Sequence, residues 1–131
     1  MQREITRPVI VVAAPGGILP AVIAYLLGGM GAEVRLLHSG EALKRLEAPE
    51  NCPLILSSFL SPLLDGCDFA RRIRGPHAYP KIWLLSWLHS EQTVLSLLEG
   101  GADQYFSLPV NLNRLKIKIA ECLSAWRRTT W

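Results

Sequence analysis

The chain has 131 residues and a formal net charge of +3, and its length fits one domain. Half of its residues are hydrophobic and 19% are charged, so the composition excludes a disordered or low-complexity chain. Three cysteines, none of them in a C-x-x-C pair, are typical of a reducing compartment, and we expect a cytoplasmic protein.

The charge is distributed unevenly along the chain. Residues 112–131 hold five basic side chains and one acidic one, so the basic excess belongs to the C-terminal segment. Residues 9–32 contain no charge at all, as a membrane segment would. Pro15-Gly16-Gly17 divides that stretch, however, and it therefore predicts a buried strand followed by a helix, and no membrane partner.

Five strands are predicted to alternate with five helices. In chain order, the predicted elements are strand 8–14, helix 17–30, strand 33–37, helix 39–47, strand 53–58, helix 65–74, strand 81–86, helix 91–99, strand 103–107 and a helix from about residue 111. The last helix carries an apolar stripe of Leu112, Leu115, Ile119, Leu123 and Trp126. This order predicts an α/β fold, a doubly wound (βα)5 five-stranded parallel sheet whose crevice lies at the carboxyl ends of the strands.

Two short sequence motifs lie at junctions between the predicted strands and helices. Pro62-Leu63-Leu64-Asp65-Gly66 follows the third strand, and Gly101-Ala102-Asp103-Gln104-Tyr105 leads to Leu108-Pro109. Over roughly residues 7–126, the chain resembles the receiver domain of two-component response regulators. The resemblance implies a flavodoxin-like receiver fold, with residues 1–126 as the receiver-like domain. Residues 127–131 would form a C-terminal tail or the start of a linker to an output domain.

Members of this family phosphorylate themselves on an aspartate, with Mg²⁺ held by that aspartate and by an acidic pair. The resemblance places the acidic pair on Ala13 and Ala14, the phospho-acceptor on Ser58, the family's lysine on Leu108 and its hydroxyl on Ser86. Methyl groups supply no oxygen ligand for Mg²⁺, and phosphoryl transfer depends on positioning and charge neutralisation. The sequence therefore predicts a pseudo-receiver without metal, cofactor or enzyme activity, in which Ser58 is not phosphorylated.

Trp87 stands where the family has a small residue that leaves room for the phosphoryl group. We expect Trp87 to be a core aromatic that, with Leu108, fills the crevice. Ser86 and Tyr105 occupy the family's switch positions, although Ser86 is better explained as a strand-end hydroxyl and Tyr105 as a surface or contact aromatic. The family's peptide before the proline is commonly cis, which the resemblance implies for Leu108-Pro109.

Two helical faces are candidates for contact with another protein. On the first predicted helix, Ala21, Ala24 and Tyr25 stand where a receiver helix normally shows charged residues, which favours contact with a partner or a second copy over scattered apolar surface. On the opposite side, the resemblance matches further residues to the α4-β5-α5 dimer of the winged-helix subfamily. Asp103 and Lys118 keep charged positions of that set, whereas Val94 replaces a basic one and Arg114 an acidic one.

These observations lead to one main hypothesis and one alternative. The main hypothesis is a module that acts by protein–protein contact or constitutive homodimerisation, as the regulatory domain of a transcription regulator that reaches DNA only through an output domain. The alternative is a regulatory domain that binds a small ligand in the altered crevice around Trp87. His38, His77 and His89 lack metal-binding spacing and are expected to be ordinary loop histidines.

Overall fold

The described residues form a single sheet of five parallel strands, which lie side by side in the order second, first, third, fourth and fifth along the chain. A computed structural model describes residues 7–65, 68–87 and 90–130. The elements are β1 (Val9–Ala13), α1 (Ile18–Gly28), β2 (Glu33–Leu37), α2 (Gly40–Lys44), β3 (Leu54–Ser57), a 3₁₀ turn (Leu63–Asp65), α3 (Asp68–Arg74), β4 (Lys81–Ser86), α4 (Glu91–Glu99), β5 (Gln104–Ser107) and α5 (Leu112–Thr130). The predicted (βα)5 fold is confirmed.

The helices cover both faces of the sheet because successive strand residues point to opposite sides. Ile10 and Val12 of β1 face a core completed by α1 and α5. Val11 and Ala13 face a second core completed by α2, α3 and α4. Strands buried on both sides explain the unbroken apolar runs of the sequence.

Several predicted boundaries shift in the structure. The first helix ends at Gly28 rather than at residue 30, and the third begins at Asp68 after a separate 3₁₀ turn. Leu112, predicted to join the core stripe of the last helix, is 41% exposed. Helix α5 continues without a break through Thr130, so residues 127–130 are helical.

The predicted bounds of the fourth helix and the cis peptide before Pro109 are confirmed. Ser39 and Ser90 cap α2 and α4 by accepting hydrogen bonds from backbone N–H groups three residues later. The Leu108-Pro109 peptide is cis. Within the described residues, no helix is both long and apolar enough to cross a membrane. His89, Cys67, Gly66 of the first motif, residues 1–6 and Trp131 lie outside the described residues.

Candidate functional site

The carboxyl edge of the sheet brings most of the predicted site residues together. Ala14, Ser58, Ser86, Trp87 and Leu108 line one cavity of about 350 Å³. They meet there because parallel strands end at the same edge: Ser57 of β3 stands opposite both Ala13 and Leu84 in the ladder. Ala13 itself contributes to a second, much smaller cavity beside Ala14 and Ser58.

The cavity contains no charged side chain among the described residues that line it. Its polar side chains are the hydroxyls of Ser58 and Ser86, and the rest of the wall is aliphatic, aromatic or glycine. No group of three or more histidine, cysteine, aspartate or glutamate residues suited to a metal ion occurs in the described part of the chain. The described lining of the cavity therefore offers Mg²⁺ no carboxylate ligand and a phosphoryl group no cation.

The hydroxyl of Ser58 is buried without a hydrogen-bond partner. Its neighbour Ser57, which is 1% exposed, is fully used: its Oγ donates to the carbonyl of Phe59 at 3.0 Å and accepts from the N–H of Phe59 at 2.9 Å. A buried polar group without a partner costs free energy, and in native proteins it commonly indicates a functional constraint or a missing ligand. Ser58 is thus the most unusual polar group of this edge.

The expectation that Trp87 is a core aromatic filling the crevice is wrong. The indole is 66% exposed and stands at the rim of the cavity, which remains open. Strand β4 ends at Ser86, so Trp87 is the first residue beyond the sheet, where no facing strand covers it. Its backbone carbonyl accepts a hydrogen bond from the Tyr105 hydroxyl at 3.0 Å.

The two switch-like residues lie on neighbouring strands. Tyr105 of β5 stands opposite Leu84 and is half-buried against the core beneath α2, α3 and α4. The carbonyl of Ser86 accepts from the N–H of Leu108 at 2.8 Å, which ties the end of β4 to the loop after β5. The Tyr105 hydroxyl bond to Trp87 is a contact that the sequence did not reveal.

Two further features of this edge were missed by the sequence analysis. The turn from Pro15 to Gly17 and the first residues of α1 form one wall of the cavity. Gly17 has a φ of +139°, a conformation that favours glycine. The His38 ring donates from Nδ1 to the carbonyl of Ala14 at 3.2 Å, so this histidine holds the end of β1. The uncharged residues that follow β1 were the sequence signal that could have predicted this wall of the cavity.

The candidate interface residues differ in exposure. On α1, Ala21 is exposed, Ala24 is half-buried and Tyr25 is 88% exposed. Val94 on α4 and Lys118 on α5 are half-buried.

Asp103 has a structural role within the chain that the sequence analysis missed. Its carboxylate accepts from the Arg74 guanidinium at 2.6 Å and from the backbone N–H of Ile82 at 2.8 Å. Arg74 also donates to the carbonyl of Gly101 at 2.7 Å. This network joins the end of α3 to the starts of β4 and β5, at the amino edge of the sheet.

A larger cavity than the crevice lies at this amino edge. It measures about 540 Å³ and is lined by residues that precede β3 and β4 and by Trp126 and Thr129 of α5. Burial raises the pKa of Cys52, one of its lining residues, to about 11. A buried thiol of raised pKa is unreactive, so this residue supplies no nucleophile.

The comparisons with known proteins point to one fold. The receiver domain of HemR from Leptospira biflexa superposes with a TM-score of 0.71 at 21% identity, over 90% of this chain and 95% of that one. The fold is that of a response regulator receiver domain. Searches against family models gave no match.

Two curated proteins are similar to this chain in sequence. The KDP operon transcriptional regulatory protein KdpE of Escherichia coli is 30% identical over 113 residues, which are 84% of this chain. A cyclic di-GMP phosphodiesterase of Thermotoga maritima is 27% identical over 93 residues, or 71% of this chain. The chain spans half the length of the first relative and a quarter of the second.

Proposed function

We propose that this chain is a receiver-like signalling module that is not phosphorylated and that regulates through protein contact. The observation that carries the proposal is the charge-free crevice. The positions that match the family's acidic pair, acceptor and lysine are Ala13, Ala14, Ser58 and Leu108. No charged side chain occurs in the described lining of the cavity. The relative KdpE is a transcriptional regulator, which supports a role as the regulatory domain of such a protein in the cytoplasm.

The chemistry at Ser58 supports the same proposal. A serine hydroxyl is a weak nucleophile unless a base removes its proton, and no basic side chain lines the cavity with it. The His38 imidazole donates a hydrogen bond from Nδ1 to the Ala14 carbonyl and does not line the cavity. The module is therefore proposed to act without catalysis, metal or cofactor.

The test is incubation of the full chain with acetyl phosphate and Mg²⁺, read by intact-protein mass. We expect no phosphoryl group on the wild type or on Ser58→Ala. A variant that restores the family's charges, Ala13→Asp, Ala14→Asp, Ser58→Asp and Leu108→Lys, tests whether the scaffold itself still supports the reaction. Mg²⁺-dependent labelling of the wild type, lost in Ser58→Ala, would contradict the proposal.

A second candidate function is the binding of a small uncharged ligand in the crevice. It is favoured by a cavity of about 350 Å³, an exposed indole at its rim and a buried hydroxyl without a partner. Ligand pockets are commonly apolar with few polar groups, and Trp87 is able to stack on an aromatic ring. A metabolite panel that raises the melting temperature of the wild type, but not of Trp87→Ala and Ser58→Leu, supports this candidate. A flat response in the wild type rejects it.

A further inference from the structure

The exposed face of α1 forms one apolar surface with the rim of the crevice. Ile18, Ala21 and Tyr25 follow each other at helical spacing, so they lie on the same side of α1. Ile18 is 82% exposed and Tyr25 88%. Pro15 and Trp87 line the same cavity as Ile18, which connects them to this side of the helix. We call these five residues the α1 patch.

The patch carries no charge. Helix α1 has no acidic residue in its first turn and no basic residue in its last, and residues 8–32 contain no charged side chain. A charged partner surface would lose its hydration here without gaining a counter-ion, which is unfavourable. The surface that covers the α1 patch must therefore be uncharged over a similar area.

The exposed area is sufficient for a specific contact between two copies. Aromatic side chains bury about 150–250 Å² each, so Tyr25 and Trp87 at their observed exposures present roughly 300 Å². With Ile18, Ala21 and Pro15, the patch reaches on the order of 500 Å², the size of the largest apolar patch on typical monomers. Two patches face to face would bury on the order of 1,000 Å², the lower limit for a specific interface.

We infer that the α1 patch is the contact surface of a symmetric dimer of this chain. A second copy presents an uncharged surface of the same size, as a two-fold interface requires, since the same residues then stand on both sides. The α4-β5-α5 face offers a less suitable surface because Asp103, which precedes β5, is already bound to Arg74 and Ile82 of its own chain. The inference deepens the proposed function, on which it rests, by naming the partner of the protein contact.

The test is sedimentation equilibrium of the full chain across a concentration series. We expect a dimer whose dissociation constant rises by about tenfold or more in Tyr25→Lys and in Ile18→Glu, because each places a charge in the apolar contact. Both side chains are more than four-fifths exposed, so neither substitution disturbs the core. Glu at position 18 also suits the first turn of a helix.

The matched control is Leu95→Lys, on α4. Leu95 is 53% exposed, and α4 covers the opposite face of the sheet from α1. We expect this variant to dimerise like the wild type. A wild type that stays monomeric at all concentrations, or a loss of dimer in Leu95→Lys as large as in Tyr25→Lys, overturns the α1 dimer. Neither result alters the outcome of acetyl phosphate labelling, so this inference and the proposed function fail separately.

Discussion

The two edges of the sheet differ in the charged side chains that they hold. At the amino edge, the Arg74–Asp103 ion pair, with a 2.6 Å contact and both side chains mostly buried, joins a helix to two strands. At the carboxyl edge, the cavity around Ser58 and Trp87 is lined by no charged side chain of the described residues. Receiver chemistry depends on charges at the carboxyl edge, whereas the architecture depends on those at the amino edge.

The difference indicates that this (βα)5 fold does not require charged side chains in the described lining of the cavity at the carboxyl edge. The strands of this chain are held by apolar packing on both faces, with the whole of β1 buried. Carboxylates and a lysine at the crevice would add like-charge repulsion and desolvation cost without adding core contacts. A crevice lining without charged side chains is therefore compatible with an intact fold, while loss of the amino-edge charges is expected to weaken it.

The largest effect is expected from Asp103→Ala. The substitution leaves the Arg74 guanidinium and the Ile82 N–H without their acceptor in a mostly buried setting. We expect the free energy of unfolding to fall by about 3 kcal/mol, measured by urea denaturation. The control is Glu41→Ala, which removes an ion pair with Arg45 of 3.8 Å whose side chains are 73% and 83% exposed. That change should cost about 0.5 kcal/mol or less, and equal losses in both variants would contradict the contrast between the edges.

A slightly smaller effect is expected from Gly101→Ala, beside the same ion pair. Gly101 has a φ of +113°, and a Cβ there would lie 2.3 Å from the Cβ of Ala70. Backbone strain and this clash together should lower the free energy of unfolding by about 2–3 kcal/mol. Gly75→Ala isolates the strain, since Gly75 has a φ of +56° with open space around it. Its expected cost is about 1 kcal/mol, and a cost matching that of Gly101→Ala would show that the clash is relieved.

The buried thiols predict a loss of stability at alkaline pH. Burial raises the pKa of Cys52 to about 11 and that of Cys122 to about 11, from 9.0. Between pH 9 and 11 the unfolded chain has lost these protons while the folded chain keeps them, so the free energy of unfolding falls as pH rises. The expected decline is on the order of 2 kcal/mol per thiol. Urea denaturation at several pH values should show a shallower decline in the double variant Cys52→Ala/Cys122→Ala than in the wild type. Equal declines in the two proteins would contradict the thiols as the cause.

The sequence predicted what depends on local pattern. Strand β4 and helix α4 have the predicted bounds because an apolar run, the Ser90 cap and the Gly100-Gly101 stop all act within a few residues. The strand-end residues that line the crevice also followed from the sequence, since residues after parallel strands meet at one edge.

The sequence did not predict what depends on distant packing. Arg74 and Asp103 are 29 residues apart, so their pairing is visible only in the folded chain. The sequence predicts Trp87 as a core residue because it replaces the family's small residue beside the crevice, but burial depends on whether another element covers it. Nothing in the described part of the chain covers this indole, since two thirds of it remains exposed.

The smallest effects are expected at the crevice, from two adjacent serines. Ser57→Ala removes a hydroxyl that both donates to and accepts from the Phe59 backbone, so the free energy of unfolding should fall by about 1–2 kcal/mol. Ser58→Ala removes a buried hydroxyl without a partner, so the same quantity should rise by about 1 kcal/mol or stay unchanged. Urea denaturation of both variants in parallel measures the contrast. A loss of more than 1 kcal/mol in Ser58→Ala would mean that the hydroxyl is bonded in solution, and the carboxyl edge would then hold a bound group as the amino edge holds its ion pair.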